Sequence, residues 1–173
     1  MSESVGPENR RPLTLIEKII ANHAIGLDDL NQVKPGNVVV LGVSWTLSSE
    51  ASWVGIDKTF TQLGRPSLFR KDRVWLAQDH TVDPRIYSRP DVKKTIDLVD
   101  AAAKELGIED YYGPNYTIMH TEFCRERALP GQVIVGSDSH TCSAGRSVFL
   151  PLPSPPLPLL LMCYNSPLKG GRY

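Results

Sequence analysis

Apolar residues recur along this chain with two periods, and they divide it into alternating helix and strand signals. Thr14-Leu-Ile-Glu17 has the spacing of a capping box and opens an apolar-periodic run through Ile20. A helix is expected there, ending near Gly26. After a turn at Pro35-Gly36, Val38-Val-Val-Leu41 reads as a buried strand. A second helix is expected from about Ser49 to Gln62, stopped by Gly64, with Trp53, Ile56 and Phe60 on one stripe. Val74-Trp-Leu-Ala77 is a short apolar run ending directly at Asp79-His80.

The clearest helix spans Pro90 to Leu106. Pro90 and Asp91 suit a first turn, and Gly107 suits the position just past the end. Val92, Ile96, Val99, Ala103 and Leu106 form its apolar stripe, and Asp100 and Lys104 face each other one turn apart. Tyr116-Thr-Ile-Met119 then reads as a strand ending at His120. Gln132-Val-Ile-Val135 reads as another, leading into Gly136-Ser-Asp-Ser-His140. Alternating strand and helix signals predict an α/β layered domain.

The pattern breaks after Val148. Residues 149–163 read FLPLPSPPLPLLLMC, a proline density that neither a helix interior nor a central strand tolerates. Polyproline II is the expected conformation, and the prolines exclude an unbroken membrane-spanning helix. Residues 149–173 are therefore read as a tail foreign to the fold. Residues 1–11 are read as a flexible, polar N-terminus without the apolar core of a secretion signal. The domain proper is expected over residues 12–148.

Totals add little. Lys plus Arg and Asp plus Glu both number 19, so the net charge is zero and nothing points to nucleic acid or an anionic membrane. The three cysteines, Cys124, Cys142 and Cys163, form no Cys-x-x-Cys. With no secretion signal they favour a reducing compartment, and the cytoplasm is the expected location, with the mitochondrion as the alternative.

Candidate chemistry sits where strands are expected to end. His80 follows Asp79, His120 follows an apolar run, and His140 follows Asp138 and Ser139. Loops at the carboxyl ends of strands are where α/β sheets bind ligands. A carboxylate fixes an imidazole's tautomer and raises its basicity, so this set suits proton transfer. Ser139 is positioned to bind a substrate carboxylate, helped by amides at the start of a following helix. His23, near a helix C-terminus, is read as structural.

These same residues carry a resemblance to the aconitase superfamily. Gly136-Ser-Asp-Ser-His-Thr141 resembles its Asp-Ser-His-Thr motif, and Leu129-Pro-Gly131 its lead-in. Ala77-Gln-Asp-His80 resembles its Asp-His segment, and Met119-His120 its next histidine strand. Thr14-Leu-Ile-Glu-Lys18 is similar to the opening of isopropylmalate dehydratase large subunits. The resemblance covers about residues 12–148.

It implies an incomplete first domain of the aconitase-type three-layer α/β/α fold. It also implies a hydro-lyase that dehydrates and rehydrates a citrate-, homocitrate- or isopropylmalate-like hydroxy acid at a 4Fe–4S cluster. Asp79 would orient His80, Asp138 would pair with His120, Ser139 would contact substrate, and His140 would lie near cluster-bound oxygen with an acidic partner from later in the chain. The family's cluster cysteines come well after this motif, so no residue here is expected to ligate the cluster. The catalytic serine and carboxylate-gripping arginines would come from a later swivelling domain or a separate small subunit. Val43-Ser-Trp-Thr-Leu-Ser-Ser-Glu50 falls where isopropylmalate dehydratases carry a His-rich stretch and aconitases a Gln, and matches neither. Thr141-Cys-Ser-Ala-Gly145 begins the family's Gly- and Ala-rich continuation, which the prolines then replace, as in a mis-spliced or prematurely ended reading frame. The chain alone is expected to be inactive. Two other readings stay open: a small hydrolase holding one zinc or iron through these histidines and aspartates, and a non-enzymatic remnant whose Pro-rich tail docks an SH3- or WW-type partner.

Overall fold

The computed structural model describes residues 11–147 and 150–153, with side chains through residue 143. The chain divides into two compact units, 1–42 and 43–173, where the sequence suggests one domain over 12–148.

In the first unit, helix α1 (Leu15–His23) forms where the capping box foretells it. Thr14 and Glu17 satisfy each other's backbone N–H groups. Arg11 and the Thr14 donors hold the Glu17 carboxyl down at about 2. The helix stops at His23, three residues short of the expected Gly26. Beyond it, Ala24 and Leu41 form an isolated antiparallel bridge, and Gly42 N–H donates to the His23 carbonyl at 2.8 Å. Val38–Leu41 is therefore not the buried strand its apolar run suggests. With only that bridge to pair with, Val38 is 97% exposed and Val40 lies largely in water. The expected flexible N-terminus falls almost wholly outside the described residues.

The second unit is built on a parallel sheet in the order β2-β1-β3-β4. These strands are β1 (Trp45–Ser49), β2 (Val74–Ala77), β3 (Val133–Gly136) and β4 (Leu150–Pro153). Helix α2 (Glu50–Gln62) buries Trp53, Ile56 and Phe60 as its stripe predicts. Helix α3 (Pro90–Leu106) ends at Gly107, whose left-handed φ of 64° closes the last turn. Strand alternation divides the core by face. Val74, Leu76 and Val135 pack with Trp53, Ile56, Phe60, Val99 and Ala103. Trp45, Leu47, Trp75 and Ile134 pack on the other side with Met119 and Phe123 of helix α4 (Met119–Glu126). The unit is α/β, with helices on both faces of a parallel sheet.

Three elements depart from expectation. Strand β1 has no continuous apolar run, because Thr46, Ser48 and Ser49 interrupt it, yet all five of its residues are buried. The strand expected over Tyr116–Met119 is absent. Tyr116 and Ile118 are exposed, and Met119-His120 instead opens α4. Leu150–Pro153, placed by sequence in a tail foreign to the fold, adds to β3 as a parallel edge strand. A sheet edge accommodates prolines, because a nitrogen facing away from the neighbouring strand takes no part in the ladder. Residues 154–173, the rest of that tail, lie outside the described residues. Among the described residues no helix is long and apolar enough to cross a membrane.

Candidate active site

The parallel register brings three strand ends to one level. Ser49 of β1 lies beside Ala77 of β2, and Leu47 beside Gly136 of β3. The segments that follow therefore converge: Glu50 opening α2, Asp79-His80 after β2, and Asp138 to Thr141 after β3. Helix α4 adds His120 from the face where Met119 and Phe123 pack.

His80 is the junction. Its Nδ1 lies 2.8 Å from Asp79 Oδ1, and its Nε2 lies 3.1 Å from Asp138 Oδ2. With a carboxylate on each ring nitrogen, both are best occupied as N–H donors, which is the imidazolium form. Burial by itself favours loss of the proton, but the charges of Asp79, Glu50 and Asp138 outweigh it. The His80 pKa is therefore raised above the ordinary histidine value. The ring is still 40% exposed, so a ligand can reach it.

His120 has the opposite environment. It is buried at the start of α4, with Nε2 3.4 Å from the Thr141 hydroxyl and 3.9 Å from Asp138 Oδ1. Burial outweighs the attraction of Asp138 and Asp79, and its pKa is lowered. The sequence pairs Asp138 with His120, but the closer partners of Asp138 are His80 and His140. Asp138 Oδ1 accepts the His140 backbone N–H at 2.6 Å and lies 2.9 Å from His140 Nδ1. His140 thus has an acidic neighbour two residues earlier. Burial pushes the Asp138 carboxyl up, but these bonds and the two neighbouring histidines overcome it, leaving its pKa lowered.

Asp79 does two jobs. Oδ1 faces His80, while Oδ2 accepts the Met119 N–H at 2.9 Å and so caps α4. Ser139 is exposed at the start of a 3-10 segment, Ser139–Ser147. The amides expected to help it hold an anion are already committed, His140 N–H to the Asp138 carboxylate and Thr141 N–H to the Asp138 carbonyl.

Glu50 was not among the residues singled out from sequence. Its carboxylate is 1% exposed and accepts three backbone N–H groups, from Asp79, His80 and Thr81, at 3.1, 2.8 and 2.6 Å. The only signal was an acidic residue in a helix first turn following a hydroxyl-rich strand. Behind the site, Gln78 is buried against Asp100 and the Tyr111 hydroxyl, which ties the end of β2 to α3.

Glu50, Asp79 and His80 place one donor atom each within 4.8 Å of one another. Their donors are spoken for: both Glu50 oxygens by backbone N–H groups, and both Asp79 oxygens by His80 and Met119. A cation there would compete with those bonds and with the protons on the His80 ring. We therefore expect the purified chain to hold far less than one zinc or iron per molecule by elemental analysis. One equivalent surviving gel filtration would favour the hydrolase reading.

No family profile matches the chain. Individual relatives do. It is 48% identical over 138 residues to the aconitase htyD of Aspergillus rugulosus, covering 79% of this chain and 16% of that protein. It is 43% identical over 136 residues to the 3-isopropylmalate dehydratase large subunit gloJ of Glarea lozoyensis, covering 78% of this chain and 14% of that one. A 3-isopropylmalate dehydratase large subunit from Halothermothrix orenii is 33% identical over 138 residues, or 77% of this chain and 30% of the relative. The chain thus spans less than a third of the length of these relatives.

Proposed function

As this chain is homologous to part of the aconitase and 3-isopropylmalate dehydratase large-subunit family, we propose that it carries the proton-handling portion of a hydro-lyase site. The observation that supports this most is the placing of His80 between two carboxylates, its pKa raised and its ring reachable, at the carboxyl ends of parallel strands. The substrate is a hydroxy acid of the citrate, homocitrate or isopropylmalate class.

In the dehydration direction His80 gives its Nε2 proton to the departing hydroxyl, which leaves as water. Asp79 keeps the ring oriented through Nδ1. Asp138 shares the Nε2 proton and steadies the imidazolium until the substrate oxygen takes its place. In the reverse direction His80 accepts a proton from the attacking water. The Ser139 hydroxyl, exposed at the mouth, contacts a substrate carboxylate. His140 is held against Asp138 with its ring 77% exposed, where it meets the same ligand.

The family's 4Fe–4S cluster supplies Lewis acidity toward the substrate hydroxyl when bound. The described residues do not fit it. Cys124 is packed against the core on α4, Cys142 is exposed on the 3-10 segment, and neither belongs to a group of close metal-binding donors. Cys163 lies outside the described residues. The thiolates, the substrate-gripping cations and the base are therefore assigned to other segments, or to a separate small subunit.

The 173-residue chain, reconstituted anaerobically with iron and sulfide, is expected to show no turnover of citrate or isopropylmalate. Residues 12–148 placed in the aconitase htyD relative, in exchange for its matched segment, are expected to support it. A chimaera that folds and loads iron yet turns over no hydroxy acid of these classes overturns the proposal.

A further inference from the structure

We propose that Glu50 is a positioning residue of this site, whose buried carboxylate holds the Asp79–Thr81 turn so that the His80 ring lies between Asp79 and Asp138. Three observations carry the assignment.

The first is geometric. Oε2 accepts from Asp79 N–H, and Oε1 accepts from both His80 and Thr81 N–H, so one side chain fixes three consecutive peptide groups. The β1–β2 register ends at Ala77 and an isolated bridge pairs Gln78 with Pro114, but among the described residues the 79–81 turn itself has no strand partner. Without the carboxylate, these amides would lose their acceptor inside the protein.

The second is chemical. Both oxygens are used as acceptors, one for a single backbone N–H and the other for two, and a carboxylate offers lone pairs on each. A glutamine of the same size would have to turn its NH2 group toward at least one backbone N–H.

The third concerns charge. A carboxylate that is 1% exposed ordinarily demands a cationic partner. Among the described residues, the ion-pair contact of Glu50 is His80, with Nδ1 3.8 Å from Oε2. Glu50 therefore acts on His80 twice, through the backbone that carries it and through the field at its ring. A purely helical role for Glu50, as a first-turn acid on α2, would require neither contact.

This assignment rests on the hydro-lyase reading only for what His80 is for; the geometry is independent of it. The test is nitrogen-15 and proton NMR of the full chain, comparing wild type, Glu50→Gln and Ile56→Val, the last weakening the same helix without touching the turn. In Glu50→Gln we expect the His80 and Thr81 amides to exchange at least about tenfold faster. The His80 ring should also titrate at lower pH than in the wild type, because a neutral amide replaces the charge 3.8 Å from its Nδ1. Ile56→Val should leave both signals in place. Unchanged His80 ring and amide signals in a folded Glu50→Gln protein would overturn the assignment. Should that variant not fold, scalar couplings across hydrogen bonds from the Glu50 carboxylate carbon to the 79–81 amides in the wild type decide instead. Their absence would overturn it. Loss of hydratase activity in the chimaera with an intact His80 signature would count against the hydro-lyase reading and leave this one standing.

Discussion

Replacing His80 by alanine in the chimaera should lower kcat for hydration and dehydration by about 10²- to 10⁴-fold, the range one positioned general acid contributes. The substrate KM should change little, because His80 is assigned to the hydroxyl that departs and not to holding the carboxylates. The reason lies in the pairing. Of the site histidines, it is His80 whose ring meets Asp79 on one nitrogen and Asp138 on the other while staying open to a ligand. His120, by contrast, is buried with its proton disfavoured. Steady-state kinetics of His80→Ala at saturating and limiting substrate separate the two parameters. A variant with full kcat removes His80 from the chemistry.

The second large effect is steric. Gly136 closes β3, and a methyl group added there would sit 2.2 Å from Thr141 Oγ1 and 2.8 Å from its Cγ2. Thr141 has nowhere to go. It is fully buried, its hydroxyl donates to the Asp138 carbonyl at 2.7 Å, and it lies against His120 Nε2. Overpacking of this kind costs about 1–3 kcal/mol, and here the displaced groups are those of the site. Gly136→Ala should therefore lower stability by that amount in denaturant unfolding and disturb Asp138 and His120 together. Adding Thr141→Ala removes both clashing atoms and should restore much of the loss, although its own missing hydrogen bond costs about 1 kcal/mol. A double variant no more stable than Gly136→Ala would show that the strain lies elsewhere.

How much of this was legible in the sequence depended on which force shaped each element. Helices α2 and α3 could be read because their buried stripes and end residues are local signals: Trp53, Ile56 and Phe60 in one, Gly107 in the other. Strands β2 and β3 were legible as short apolar runs. Strand β1 was not, because its hydroxyl residues gain burial only from neighbours on either side, distant in sequence. The apolar residues before His120 suggested a strand, but a carboxylate forty residues earlier, that of Asp79, caps a helix there instead. Val38–Leu41 shows the converse, an apolar run outside the sheet whose Val38 and Val40 are exposed and whose Val39 and Leu41 are half-buried.

The site followed the same division. Asp79, His80, His120, Asp138, Ser139 and His140 could be named because each lies beside an apolar run or within a motif. Asp79 could also be matched with His80, its neighbour in sequence, but the rings that Asp138 faces could not be named, since His80 reaches it only where strand ends meet. The register delivers Asp138 to His80 and His140 and leaves it 3.9 Å from His120. Glu50 escaped notice because its partners are backbone N–H groups some thirty residues away, which no side-chain pattern announces.

The central claim, that these residues form one coupled acid–base cluster, is tested most directly by an NMR titration of the histidine rings in the full chain and in Asp138→Asn. His80 should titrate above the ordinary value of 6.5 and His120 below it. Asp138 raises both, so its neutralisation should lower both midpoints. Histidines that all titrate near 6.5, unmoved by Asp138→Asn, would contradict it.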